Sequence, residues 1–244
     1  MRLLDIDIET APALVYTFSL FKPMIGMEQI VEHPRIICFS AKWHGSKKVM
    51  FYSEHHDGRK EMLDQLHALL DEADAIVTYN GKRFDQPWIT GELLLEGYWP
   101  PSPFARIDLY QVMRSTTRFI SGKLDYAVQR LLGQRKVAHQ GFSLWKDCLA
   151  GDDKAWATMK KYAVQDTALL EPLYDVLRPW IKNHPNVALH NGVEAGCTNC
   201  GSDDFQRRGF KATGAQLYQQ YRCNKCGHWF RGKSAVGSTE MRQA

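Results

Sequence analysis

Arg2-Leu3-Leu4-Asp5-Ile6-Asp7-Ile8-Glu9-Thr10 alternates apolar and acidic side chains with the two-residue period of a β-strand. Leu4, Ile6 and Ile8 fall on one face, and Asp7 and Glu9, two apart, point to the other. Two later segments carry acids in matching contexts. Asn80-Gly81-Lys82-Arg83-Phe84-Asp85 follows the strand-like run 75–79 (AIVTY), so Asp85 stands where a helix would begin. In Tyr162-Ala163-Val164-Gln165-Asp166 the tyrosine and the aspartate are four apart in a helical run and share a face. Singly, these are a solvated strand rim, a helix N-cap and a chance spacing. Together they offer four carboxylates from distant parts of one fold, a set able to hold a pair of divalent cations.

Working outward, the coarse order is strand 2–8, a long loop 10–34, strands 35–43 and 47–53, and helix 58–73. Strand 75–79, helix 85–96, strand 105–109, helix 123–133 and a long helix 153–182 follow. The first three strands are close enough in sequence to pair antiparallel. The fourth and fifth are joined by a helix, which implies a parallel crossover. The class is therefore α/β, with a mixed five-stranded sheet flanked by helices. Residues 1–183 make this domain, 184–193 a linker, 194–232 a small module and 233–244 a flexible tail.

That module holds Cys197-x2-Cys200, 22 residues, then Cys223-x2-Cys226. Paired Cys-x-x-Cys units without a thioredoxin-like helix read as one tetrahedral zinc site rather than disulfides. Gly201 and Gly227 follow each pair and allow the tight turn a zinc knuckle needs. His228 is a conceivable substitute ligand, with a solvent-facing position the simpler reading. Cys38, in an apolar run, and Cys148 read as core residues. Residues 194–244 carry eight Lys and Arg against four Asp and Glu, so the whole formal excess of +4 lies there. Basic residues interleaved with Phe210, Tyr218, Tyr221, Trp229 and Phe230 suit a nucleic-acid surface, or else the aromatics form the module's small core.

The three acidic segments resemble the motifs of the DnaQ-like, DEDD 3′–5′ exonuclease family of the RNase H-like superfamily. Tyr162 points to its tyrosine-bearing branch, DEDDy. The stretch from Asp5 to about Trp180 is similar to phage-encoded members through DIETAP (7–12), AKWHG (41–45), YNGKRFD (79–85) and KLDYAVQRLLG (123–133). Asp5 departs from the pattern, which expects an apolar residue there; a further acidic neighbour and a rim residue are both open. The resemblance implies an RNase H-like fold with a C-terminal four-cysteine zinc ribbon, and hydrolysis of DNA phosphodiesters from the 3′ end. It also implies two Mg²⁺ or Mn²⁺ ions, suited to hard carboxylate ligands, besides one structural Zn²⁺. Asp7 would then bridge both catalytic ions, with Glu9 and Asp166 holding the one that activates water. Asp85 would support the other through water, and Tyr162 would orient the attacking water. Asn80, Lys82 and Arg83 flank Asp85 and are candidates to meet substrate phosphates, surface solvation being the alternative for the two cations. Tyr16, Phe18, Phe21 and Lys22 could stack terminal bases or pack under the loop, and Lys136 and His139 could form a basic lip.

The 244 residues, 44% hydrophobic and 24% charged, describe an ordinary globular protein. No apolar run approaches the ~20 residues that cross a bilayer. A strand beginning within two residues of Met1 leaves no room for a signal peptide, so a cytoplasmic protein of a bacterium or phage-infected bacterium is expected. The competing readings are a 3′–5′ exoribonuclease and a noncatalytic nucleic-acid-binding adaptor. For the ribbon the alternative to DNA is a replication or recombination protein as partner.

Overall fold

The computed structural model describes residues 1–21, 23–134 and 141–241; Lys22, Lys136 and His139 lie outside the described residues. Two compact units result. The larger comprises Arg2–Gln111 and Phe119–Leu173, and the smaller Met1, Val112–Arg118 and Tyr174–Ala244.

The larger unit begins with β1 (Leu3–Thr10), a two-stranded ribbon β2 (Leu14–Val15) and β3 (Ile30–Glu32), then β4 (Ile36–Trp43) and β5 (Val49–Ser53). α1 (Arg59–Glu72), β6 (Ala75–Thr78), α2 (Asp85–Leu95) and β7 (Ala105–Asp108) follow. α4 (Leu124–Leu132) and α5 (Phe142–Leu149) complete its helices, while the residues of α3 (Leu109–Thr116) and α6 (Asp153–Leu177) are divided between the two units. The sheet order is β5-β4-β1-β6-β7. β4 pairs antiparallel with β1 and β5, while β1–β6 and β6–β7 are parallel. This is the expected mixed five-stranded sheet, and its parallel half exists because α1 and α2 supply the crossovers.

Alternation along β1 sorts the two faces. Leu4, Ile6 and Ile8 join Ile36, Phe39, Leu63, Leu66, Ile76 and Ile89 in the core under α1 and α2. Each such side chain contributes roughly 1.5–3 kcal/mol of transfer free energy. On α1 the buried set Met62, Leu63, Leu66, Leu69 and Leu70 follows the helical period that makes this stripe possible. On the opposite face Ile37 and Cys38 pack with Leu144 and Cys148 of α5 and with Trp156 and Met159 of α6. Both cysteines are thus core residues, and the Trp156 indole N–H donates to the Cys148 carbonyl at 2.8 Å.

Several elements differ from the sequence reading. α3 was not expected; the Asp108 carboxylate accepts from Tyr110 N and Gln111 N and so caps it. The long α-helix stops at Leu177, because Pro179 disfavours helical backbone at Arg178. Pro172 within α6 has no N–H to offer the Ala168 carbonyl.

In the smaller unit, residues taken as a linker include a helical turn, α7 (Val187–His190), whose N-cap Asn186 accepts from Leu189 N. β8 (Phe205–Thr213), β9 (Gln216–Cys223) and β10 (Trp229–Ser238) form an antiparallel sheet in the order β10-β9-β8. β10 runs through residues expected in the tail: Ala235, Gly237 and Ser238 pair with Tyr218, Leu217 and Gln216.

Candidate functional site

Strand pairing and one buried hydroxyl pair bring α6 to the acidic face of β1. Asp7 lies opposite Ser40, and Glu9 opposite Cys38. The fully buried Ser40 hydroxyl donates to the Ala163 carbonyl at 2.8 Å and lies 2.6 Å from the Thr167 hydroxyl. Ala163 and Thr167 each follow a motif residue, so this latch sets Tyr162 and Asp166 beside Asp7. The Tyr162 hydroxyl reports the result. Its pKa is raised above the ordinary tyrosine value first by burial, then by the charges of Asp166, Glu9 and Asp7, and by a hydrogen bond to Asp166. The buried Cys38 thiol is also pushed up, by desolvation and then by Glu9 and Asp7.

Asp85 arrives from the other side. β1 pairs with β6 only over Leu3–Asp5, so farther along the strand its edge toward β6 lies open. Asp85, the first residue of α2, takes that place: its Oδ1 accepts from Ile8 N at 3.3 Å. The carboxyl is almost fully buried, and burial pushes its pKa up to about 7, against the lowering effect of the Asp85 and Ile8 N–H groups. Three chain segments therefore deliver Asp7 and Glu9, Asp85, and Asp166 with Tyr162 to one end of β1. Clustered carboxylates, with the Asp85 pKa raised by burial, suit divalent cations, which would relieve the repulsion.

The turn that aims Asp85 is itself constrained. Asn80 adopts φ +67°, the single non-glycine residue with positive φ among the described residues. At Gly81 a Cβ would fall 2.3 Å from the Thr78 hydroxyl oxygen, so no larger residue fits without movement. Asp108 binds this turn through Asn80 N (2.9 Å) and Lys82 N (3.1 Å). It acts as a structural anchor and cap. Asn80 is half-buried, whereas Lys82 and Arg83 are exposed beside the site.

Asp5 is fully buried rather than a rim residue. Its carboxylate, the His44 imidazole and Glu171 bring ligand atoms within 4.8 Å of one another. Lys42, the register partner of Asp5, pairs with Glu171, and His44 Nδ1 lies 3.7 Å from Asp5. Lys42 and His44 thus lie against the two carboxylates Asp5 and Glu171.

Sequence reasoning gave no site role to a cleft of about 310 Å³ lined by Thr10, Pro12, Gly141, Phe142 and Trp145. Trp145 packs edge-on to Tyr162, with ring centroids 6.2 Å apart, and Phe142 is exposed. An aromatic pair next to the motif tyrosine was the available signal. Tyr16, Phe18 and Phe21 are exposed and do not pack under their loop.

In the smaller unit the four cysteine sulfurs lie within 4.8 Å of one another. The Cys197–Cys226 and Cys200–Cys223 Sγ pairs are both 3.7 Å apart. A tetrahedron with ~2.3 Å metal–sulfur bonds has edges of about 3.8 Å, so the cluster is consistent with a zinc ribbon. His228 is outside the set; it is half-buried, and its Nδ1 lies 3.2 Å from the Pro179 carbonyl. Tyr221 and Phe230 stack and Phe205 meets both edge-on, a half-buried aromatic cluster in the ribbon, while Phe210 and Trp229 are exposed.

A family model described as the RNase_H superfamily matches residues 27–178. Among solved structures the chain is similar to the family B DNA polymerase from the hyperthermophilic archaeon Pyrobaculum calidifontis. The TM-score is 0.54 and the identity 16%, over 73% of this chain and 24% of that one. This chain thus spans about a quarter of the polymerase, and the likeness is one of fold. No curated protein matches. No helix among the described residues is long and apolar enough to cross a membrane.

Proposed function

The chain belongs to the RNase_H superfamily, and from that premise we propose that it is a DEDDy-class, metal-dependent 3′–5′ exonuclease acting on DNA. The observation that carries this reading is the convergence of Asp7, Glu9 and Asp166 on the Tyr162 hydroxyl, with Asp85 on the backbone of the same strand. Two Mg²⁺ or Mn²⁺ ions, when bound, would neutralise the phosphodiester, generate hydroxide and stabilise the departing 3′ oxygen.

The chain's own residues divide the remaining work. Asp7 would help hold both ions, Glu9 and Asp166 the one that activates water, and Asp85 the other. Tyr162, its pKa held above the ordinary value, stays protonated near neutral pH and orients the attacking water through its hydroxyl. Phe142 and Trp145 line a cleft that would receive the terminal base by stacking. Lys82 and Arg83, with Asn80, would meet phosphates beyond the scissile bond. In the ribbon, one Zn²⁺ on Cys197, Cys200, Cys223 and Cys226 would hold the turns. The exposed Phe210 and Trp229, among basic residues, would then hold DNA. The fold shared with a DNA polymerase favours DNA over RNA as substrate.

The test follows 5′-labelled single-stranded DNA, duplex DNA and matched RNA with Mg²⁺ or with EDTA. The proposal expects a ladder of progressively shorter labelled DNA products that EDTA abolishes and Asp7→Ala removes. Release of label as the first product would reverse the polarity. Faster loss of RNA would transfer the activity to RNA, and an active Asp7→Ala would overturn the site.

A further inference from the structure

Residues 205–238, the three strands of the ribbon with their turns, carry seven Lys and Arg and no Asp or Glu. Strand pairing sorts these side chains onto two faces, because cross-strand partners share a face and so do alternate residues along a strand. One face takes the rows Gln206–Arg222–Trp229, Gln220–Arg231 and Lys211–Tyr218–Ala235. Arg207, Tyr221 and Phe230 form a row on the other. There Phe205, Tyr221 and Phe230 line a cavity together with Ala188 and Leu189 of α7, so that face is turned to its own unit. The first face is open: Lys211, Arg222, Trp229 and Arg231 are all exposed.

Two aromatic rings on the open face are set for stacking. Trp229 stands 49% exposed, opposite Arg222 on the neighbouring strand. The Arg231 guanidinium lies 3.8 Å from the Tyr218 ring centroid, a flat cation on a flat ring. The Tyr218 hydroxyl donates to Gln216, which fixes the ring in place. An arginine held in this way offers its outer plane to a base while its charge attracts a phosphate. Gln206 and Gln220 add amide donors and acceptors without fixed charge.

Planar surfaces and cations with no carboxylate among them suit a polyanion whose flat groups are exposed. Duplex DNA meets only half of that description. Its bases stack on one another and present edges in the grooves, so a tryptophan on a sheet finds no free base face. Charge alone would nonetheless favour the duplex, whose phosphates are denser. An unpaired strand offers base faces as well as phosphates. We propose that this face of the ribbon is a platform for single-stranded DNA. Trp229 and the Tyr218–Arg231 stack take bases, and Lys211 and Arg222 take phosphates. The proposal deepens the reading of the ribbon as a module that holds DNA, and rests on it. It calls on no strand end and on no metal at the carboxylates.

The experiment measures fluorescence anisotropy of labelled DNA with the full-length, zinc-loaded chain carrying Asp7→Asn. No Mg²⁺ or Mn²⁺ is added, so the DNA survives. The probes are oligo(dT), the same strand closed into a circle, a duplex of equal length and oligo(U). The circle removes every end that the carboxylate site would take, yet it is expected to bind as oligo(dT) does. Both should bind about tenfold or more tightly than the duplex. Trp229→Ala should weaken binding of the circle roughly tenfold to a hundredfold, and Trp229→Phe should restore most of it. Arg222→Ala should lower the slope of log affinity against log salt by about 0.7. Arg207→Ala removes the same charge from the other face and should change affinity by no more than about twofold at physiological salt. If Trp229→Ala loses its zinc, Arg231→Ala carries the test through the second stack.

A duplex bound as tightly as the circle overturns the platform while leaving a DNA-holding ribbon in place. Tighter binding of oligo(U) than of oligo(dT) overturns it in favour of RNA. Circle binding that a zinc-loaded Trp229→Ala leaves unchanged, or that Arg207→Ala weakens as much as Arg222→Ala does, also overturns it. Affinity for every probe left unchanged by Trp229→Ala and Arg222→Ala together overturns the underlying reading of the ribbon as well.

Discussion

Replacing Ser40 by alanine isolates the latch that sets α6 against β1. The Ser40 hydroxyl donates to the Ala163 carbonyl and shares a contact with Thr167, and Ser40 and Thr167 are both fully buried. Its loss removes two hydrogen bonds, each worth about 0.5–1.5 kcal/mol net, so Ser40→Ala costs about 1–3 kcal/mol. Once the Ser40 hydroxyl is gone, the single Thr167 hydroxyl proton can turn to the Ser40 backbone carbonyl, 3.2 Å away, which keeps that donor satisfied and bounds the penalty. At roughly 2–4 °C per kcal/mol for a unit of this size, the thermal midpoint falls by about 2–12 °C. The functional effect is larger. Tyr162 and Asp166 adjoin the latched residues, and a displacement of ~1 Å at reacting groups can cost about 10²-fold. Metal-dependent hydrolysis of labelled DNA, measured well below the melting range, should fall by one to two orders of magnitude. The Thr167→Val variant should behave similarly, and the double variant should lose about 1 kcal/mol less than the sum. A Ser40→Ala protein with the expected drop in stability but hydrolysis within about twofold of wild type would refute the argument that this contact places the helix.

Gly81→Ala drives a Cβ into Thr78; the overpacking costs about 1–3 kcal/mol, and Mn²⁺ affinity should weaken as the Asp85 turn shifts, which calorimetry measures. Burial raises the Asp85 pKa from 3.8 to about 7. In EDTA this group therefore stabilises the fold at low pH, and that contribution is lost as pH rises from 3.8 toward 7. Across that window the thermal midpoint of the wild type should fall relative to that of Asp85→Asn, and a flat difference would contradict the buried carboxyl. Elemental analysis should find one zinc per chain, and stripping it should open the 194–241 segment to protease while the larger unit melts unchanged.

Much of this architecture was readable in β1. Its alternation placed Leu4, Ile6 and Ile8 in the core and set Asp7 and Glu9 on one face, because strand periodicity is a local property. What escaped depends on contacts distant in sequence. Asp5 obeys the same alternation, yet only the fold brings it to Lys42, His44 and Glu171. The segment 233–238 has a tail's composition, and pairing with β9 orders it. α3 left a faint signal, the buried Leu109 and Met113 four residues apart behind the cap Asp108.

Anomalous scattering from crystals soaked in Mn²⁺ addresses the shared carboxylate cage most directly. The account predicts two peaks about 4 Å apart, bounded by Asp7, Glu9, Asp85 and Asp166 and absent in Asp7→Asn. Manganese missing there, or bound instead between Asp5, His44 and Glu171, would contradict it.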